Sequence, residues 1–329
     1  MWADAPAAPV RPSPAAEAVP DACRLCPRAC GAPRTEEQAA GFCRSPLRPR
    51  LARAAAHFGE EPCISGTRGS GTLFFTGCHL ACVFCQNHEI SRCVIPGQAV
   101  SDGELRRIID RLLEQGVHNL NFVSASHFIP AVARVLNAVK PPVPVVWNSS
   151  GYETVSQLRQ LDGLVQVYLP DFKYGDEALG LQLSGVPDYP AVALKALQEM
   201  LRQRGPYRLD GDGLLKSGVL VRHLVLPGYI DNTLDVLDLL RDHFAPGTLL
   251  LSLLSQYTPI RALACTGRLD AFPSLKRRLQ PEEWDRVWEY LRYSDWEDGY
   301  VQDLSSATEE MIPAFDGTGL AESGPSSAE

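Results

Sequence analysis

The sequence predicts an α/β fold, a partial (β/α)6 barrel preceded by an N-terminal cysteine-rich segment. Three observations carry that expectation. Short apolar runs alternate with helix-patterned stretches six times along the chain, the signature of a parallel sheet with helices outside it. Polar clusters recur just beyond the C-terminal ends of those runs, the face where (β/α) barrels place their sites. Three cysteines, Cys78, Cys82 and Cys85, follow the first run and Gly77 at C-x3-C-x2-C spacing, so they too belong to a strand's C-terminal end. Right-handed crossovers curve such a sheet, and six units rather than eight leave it open.

Taken in order, residues 1–20 are rich in Ala and Pro and are expected to form a disordered tail. Residues 21–65 form a cysteine-rich, metal-binding segment in which Cys23, Cys26, Cys30 and Cys43 are spaced C-x2-C-x3-C-x12-C. Four thiols in that span suit a tetrahedral zinc site or a second Fe–S cluster, and thiolate ligation alone does not separate the two; unligated cysteines are the third reading. Glu60 and Glu61 are expected as solvent-exposed acids rather than substrate contacts, and Cys63 as a small buried residue.

The barrel is expected over 66–310. Its strands are placed at 72–75, 120–123, 143–147, 164–169, 219–226 and 248–254. Ser101 with Glu104 three residues on reads as a capping box opening a helix that Gly116 ends. Further helices are expected over 128–139, 154–160, 189–204, 233–244 and 281–293, the last with Pro281 in its first turn. Residues 311–329 are expected to be a second disordered tail.

The formal charge of −8 argues against broad nucleic-acid binding. No apolar run is long enough to cross a membrane, and 1–20 lacks the apolar core of a signal peptide, so a cytoplasmic protein is expected. Ten cysteines in clusters point to metal rather than disulfides.

Three thiolates are one short of a closed site. A [4Fe–4S] cube held by three cysteines keeps one iron open to a small molecule, whereas zinc or three buried structural cysteines are the plainer alternatives. The loop Cys78-His79-Leu80-Ala81-Cys82-Val83-Phe84-Cys85 resembles that of the radical S-adenosylmethionine (SAM) superfamily, with Phe84 at its aromatic position. Within it the chain is most similar to the pyruvate formate-lyase activating protein-like group, related to glycyl-radical activases. That likeness runs from about Cys23 to Pro259 and includes Cys-Arg-Leu-Cys-Pro-Arg-Ala-Cys from Cys23, Phe84-Cys85-Gln86-Asn87, Asn148-Ser149-Ser150-Gly151-Tyr152, Pro170-Asp171-Phe172-Lys173 and Arg222-His223-Leu224.

The resemblance implies a [4Fe–4S] cluster on Cys78, Cys82 and Cys85, with SAM on its open iron and Phe84 beside the adenine. It implies reductive cleavage of SAM to a 5′-deoxyadenosyl radical that abstracts hydrogen, and an electron donor such as flavodoxin or ferredoxin. Asn148 and Ser149 then suit the methionine end of SAM, or are turn formers. Asp171 and Lys173 match the D-x-K element that helps hold SAM and a peptide substrate, or are a surface pair. Arg222 matches the fifth-strand arginine, and a buried arginine needs an anionic partner. His223 reads equally as a satisfied core residue, and Gln256 with Tyr257 as substrate contacts or a barrel plug. Cys93 is given no role, because a fourth ligand would block SAM. The glycine-glycine-glutamate element common after the second strand is absent; Val123-Ser124-Ala125-Ser126-His127 stands there.

Three functions follow. The first is activation of a glycyl-radical partner protein. The second is radical SAM chemistry on a small molecule or RNA. The third is a metal-binding scaffold without turnover.

Overall fold

The computed structural model describes residues 23–294, 296, 298–307 and 313–320, so the tail expected over 1–20 lies outside the described residues. The strands are β1 (Arg50–His57), β2 (Ser70–Phe75), β3 (Gln98–Ala99), β4 (Leu120–Val123), β5 (Val145–Ser149), β6 (Val167–Pro170), β7 (Arg208–Leu209), β8 (Leu215–Leu224), β9 (Leu250–Leu254) and β10 (Gly299–Val301). They form one open sheet in the order β10-β9-β8-β6-β5-β4-β2-β1-β3, with β7 paired to β8. From β2 to β10 every neighbour on that path is parallel. The partial barrel is therefore present, with β10 as a seventh parallel strand.

The helices are α1 (Pro62–Ser65), α2 (His88–Ser91), α3 (Asp102–Glu114), α4 (Ile129–Val139), α5 (Val155–Leu158), α6 (Glu177–Ser184), α7 (Tyr189–Arg204), α8 (Ile230–His243), α9 (Arg261–Cys265) and α10 (Pro281–Tyr293). The capping box forms as read: the Glu104 amide donates to Ser101 Oγ, and the Ser101 amide donates to Glu104 Oε2 at 2.7 Å. Strands β2, β4, β5 and β6 are buried at every position, as both faces of a helix-covered parallel sheet require. Among the described residues no helix is long and apolar enough to cross a membrane.

Two expectations are corrected. The sheet begins at Arg50, inside the span read as the cysteine-rich segment: β1 runs antiparallel to β2 from Leu51↔Phe75 to His57↔Ser70. Its sequence, Arg-Leu-Ala-Arg-Ala-Ala-Ala-His, has no β-branched residue, so pairing rather than propensity makes it a strand. Residues 313–320, expected within the second tail, lie along β1. The Ala54 amide donates to Thr318 O at 2.9 Å, the Gly317 amide donates to Ala52 O at 3.0 Å, and Phe315 is buried against Phe74. Phe315 and the partly buried Leu320 supply the apolar burial that holds it.

Candidate iron–sulfur and SAM site

The cysteine loop leaves the C-terminal end of β2 through Gly77. Gly77 has φ of 84°, and a Cβ there would sit 2.1 Å from Ser45 Oγ and 2.7 Å from Cys43 O, so only glycine fits. Two backbone bonds moor the loop to the end of α6: the Ala81 amide donates to Ser184 O at 3.2 Å and the Val83 amide to Leu183 O at 2.9 Å. The thiols carry their own donors. Ser184 Oγ donates to Cys82 Sγ at 2.8 Å, the Leu80 amide donates to Cys78 Sγ at 3.3 Å, and Ser91 Oγ lies 3.4 Å from Cys85 Sγ.

Cys78, Cys82 and Cys85 line a cavity of about 520 Å³ together with Phe84, Asn148, Asp171, Lys173 and Arg222. The structure therefore brings the sequence-read site residues into one space. Phe84 stands edge-on to Tyr257 at 6.4 Å between ring centroids. Tyr257 is anchored away from the cavity, donating to Leu275 O at 2.6 Å, while Gln256 lines it.

Arg222 is the hub. Its Nε donates to Asp171 Oδ1 at 3.1 Å, Nη1 to Glu60 Oε2 at 2.9 Å, and Nη2 to Asn148 Oδ1 at 2.6 Å. Lys173 Nζ donates to Asp171 Oδ2 at 2.6 Å. Burial alone would raise the Asp171 carboxyl, but the Lys173 ammonium and Arg222 guanidinium hold it below its ordinary value. Burial works against Lys173 and Arg222 as well; the carboxylates around them raise both and keep them charged.

Some expectations change here. Glu60 and Glu61 are not exposed: Glu60 reaches into the barrel to meet Arg222, Asn121 and Asn148, and Glu61 is 8 % exposed with Oε2 unpaired. Burial raises the Glu61 carboxyl. Ser149 lines the cavity, but its hydroxyl donates to Glu153 Oε2 at 2.7 Å and accepts the Gly151 amide. Glu153 also accepts from Ser126 Oγ and Trp147 Nε1, so Ser149 belongs to a buried brace behind the site. His223 is a satisfied core residue. The Phe172 carbonyl can only accept, so Nδ1 carries the proton, and Nε2 accepts from Thr233 Oγ1 at 2.9 Å. Cys63 is buried, as expected.

Sequence reading missed Ser184, Tyr174 and Tyr189. Tyr174 OH lies 2.6 Å from Ser184 Oγ, and Tyr189 OH accepts the Lys173 amide while facing the carbonyls of Ser150 and Asp171. Tyr174 ends the strand-end run Pro170-Asp171-Phe172-Lys173-Tyr174, whereas nothing local flags Ser184, the last residue of α6, or Tyr189, the first of α7.

The donor set fits a cluster. Burial first, then the neighbouring thiols, pushes the Cys78 thiol up to about 12, so a bound metal is what would make it a thiolate. Gln86 lines the cavity with a buried, unpaired amide nitrogen, a donor of the kind cluster sulfurs accept. Among the described residues no three His, Cys, Asp or Glu side chains close on a point for one metal ion; a cube asks otherwise, taking each thiolate on a different iron.

Cys23, Cys26, Cys30 and Cys43 are grouped near one another on the flank of this loop, with Cys23 and Cys43 buried and Cys30 exposed. Cys93 is close by, its thiol 4.0 Å from Cys43 O.

Residues 65–169 match a 4Fe-4S single cluster domain, and that span contains the whole cysteine loop. The matched span thus places an Fe–S loop at the C-terminal end of the first parallel strand of the open sheet. The chain is 30% identical over 277 residues to an uncharacterized protein of Methanocaldococcus jannaschii, covering 81% of this chain and 73% of that protein, and it belongs to the same family. Among solved structures it is similar to Streptococcus suis SuiB bound to precursor peptide SuiA, at 12% identity and a TM-score of 0.44, over 71% of this chain and 49% of that one. It is also similar to HydG, a maturase of the [FeFe]-hydrogenase, at 15% identity and a TM-score of 0.45, over 68% and 49%. The chain spans about half the length of these solved chains.

Proposed function

We propose that this chain is a radical SAM enzyme whose reaction occupies the cavity between the cysteine loop and Arg222. The observation that carries the reading is the placement of Cys78, Cys82 and Cys85 in one cavity with Phe84, Asp171, Lys173 and Arg222. A [4Fe–4S] cluster held by Cys78, Cys82 and Cys85, with SAM bound in the cavity, would supply the one-electron chemistry for hydrogen abstraction from a substrate.

The chain's own residues supply position and shielding. Cys78, Cys82 and Cys85 hold the cluster, and Ser184 and Ser91 orient two of the three sulfurs. Phe84 offers a ring face for the adenine. The Asp171–Lys173 pair presents one anionic and one cationic group to the zwitterionic end of SAM, and Arg222 fixes Asp171 and Asn148 in place. Ser149 acts behind Asn148 rather than on the cofactor. Electrons come from a flavodoxin- or ferredoxin-type donor, in the cytoplasm. The substrate is a glycyl-radical partner protein, as the activase-like motifs imply; a small molecule is the competing class.

Anaerobic reconstitution with iron and sulfide, followed by reduction, tests the reading: the protein should turn brown and convert SAM to 5′-deoxyadenosine, and Cys78→Ala should do neither. A colourless zinc protein with no SAM cleavage would overturn it. Paramagnetic resonance on mixtures with candidate glycyl-radical proteins separates the activase from the small-molecule class.

A further inference from the structure

The four N-terminal cysteines form a group that the cavity does not use, and the backbone around them is arranged for sulfur. Arg34 Nη1 donates to Cys23 Sγ at 3.7 Å, the amides of Ala32 and Phe42 lie beside Cys30, and that of Arg28 lies beside Cys26. Gly41 packs on the same group, with its Cβ position in ordinary contact distance of Cys30 Sγ. Donors aimed at sulfur are what orient and stabilise metal-bound thiolates.

The same segment grips the other loop. Arg28 Nε donates to His79 O, and its Nη2 donates to Ser184 O at 3.2 Å and Gly185 O at 2.9 Å. Its guanidinium also lies 3.5 Å above the Phe42 ring, with Cys26 and Cys78 both in its surroundings. Arg34 donates to Pro46 O at 2.7 Å and His127 O at 2.9 Å. Ser45 and the Cys43 carbonyl close over Gly77, the entry to the loop.

We propose that Cys23, Cys26, Cys30 and Cys43 hold a second, thiolate-bound metal centre, and that this centre braces the C-x3-C-x2-C loop through Arg28 and Ser45. The ligand chemistry is that of an Fe–S cluster, which takes each thiolate on a different iron; among the described residues no three of these side chains close on a point for a single ion. Metal binding fixes the turn from Cys26 to Cys30, which carries Arg28, and the chain at Cys43, two residues before Ser45. The brace concerns the site of the proposed radical chemistry, but the metal centre stands on its own residues.

The experiment separates the two. The triple variant Cys78→Ala/Cys82→Ala/Cys85→Ala, isolated without oxygen and incubated with iron and sulfide, should still hold about four irons per chain. Adding Cys30→Ser to that variant should remove them, whereas adding Cys93→Ser should not. No metal in the triple variant, or retention after Cys30→Ser, overturns the assignment without touching the loop cluster. In the otherwise native chain, Cys30→Ser should speed amide exchange over 78–85 by about tenfold or more. Arg28→Ala, which keeps all four thiols, should keep the second metal and loosen the same amides. Unchanged exchange in both variants overturns the brace.

Discussion

Arg222→Met is the most informative single change. The substitution keeps length and apolar bulk but removes three donors at once, to Asp171, Glu60 and Asn148. Two carboxylates then lose their guanidinium in a space where the Glu60 side chain is 8 % exposed and that of Asp171 26 %. Removing one partner of a buried pair costs about 3–5 kcal/mol. Lys173 still pairs with Asp171, and the Asn121 and Asn148 amides still meet Glu60, so the lower end, about 3 kcal/mol, is expected. In thermal unfolding of the metal-free, reduced protein that is a drop of roughly 6–12 °C. Arg222→Lys keeps a charge but not the fork, and should fall between the two. Adding Glu60→Gln to Arg222→Met removes one stranded charge and should restore at least about 1 kcal/mol. A loss below about 1 kcal/mol for Arg222→Met, or no recovery in the double variant, would show that Arg222 is not the hub of a buried charge network.

Four further outcomes are expected. The His223 ring, held at about 4 by burial, stays neutral in the folded state while the unfolded chain protonates near 6.5. Its contribution is therefore complete above pH 6.5 and declines as pH falls towards 4, by up to about 3 kcal/mol; His223→Gln should flatten that part of the stability–pH curve. Glu283, held near 2 by Arg277 and the amides of Gln280 and Gly228, contributes above about pH 4.5 and loses its contribution as pH falls towards 2. Because Arg277 is 40 % exposed, Glu283→Gln should cost about 1–2 kcal/mol at neutral pH, read by urea unfolding. Gly77→Ala, which drives a methyl into Ser45, should lower cluster yield in reconstitution, measured as iron per chain, while Gly116→Ala, open around its Cβ, should not. Ser184→Ala removes the hydroxyl on Cys82 Sγ and should shift the cluster's reduction potential to a more negative value, read by redox titration.

What the sequence exposed was the part written in local pattern. The capping box at Ser101 and the helix Tyr189–Arg204 came from spacing, and Asp171 and Arg222 from polar residues at strand ends. β1 was hidden because an Arg- and Ala-rich stretch has helix propensity and becomes a strand only beside β2. Glu60 was hidden for a related reason: two adjacent acids after Phe58-Gly59 read as surface, and only the return of β1 beneath the barrel carries them inward. Ser149 shows what a motif leaves open: it lines the cavity with Asn148, yet its hydroxyl is engaged by Glu153, a partner the motif does not name.

The added antiparallel strand also changes the status of β2. With β4 on one flank and β1 on the other, the segment that ends in the cysteines is interior to the sheet, and β3 and residues 317–318 sit farther out still. Rim strands fray; an interior one has its amides engaged on both sides and parts from its neighbours only when the whole sheet does. The thiols are thus mounted on one of the last places in the molecule to breathe, which suits a centre whose sulfurs must stay at fixed separations each time an electron arrives.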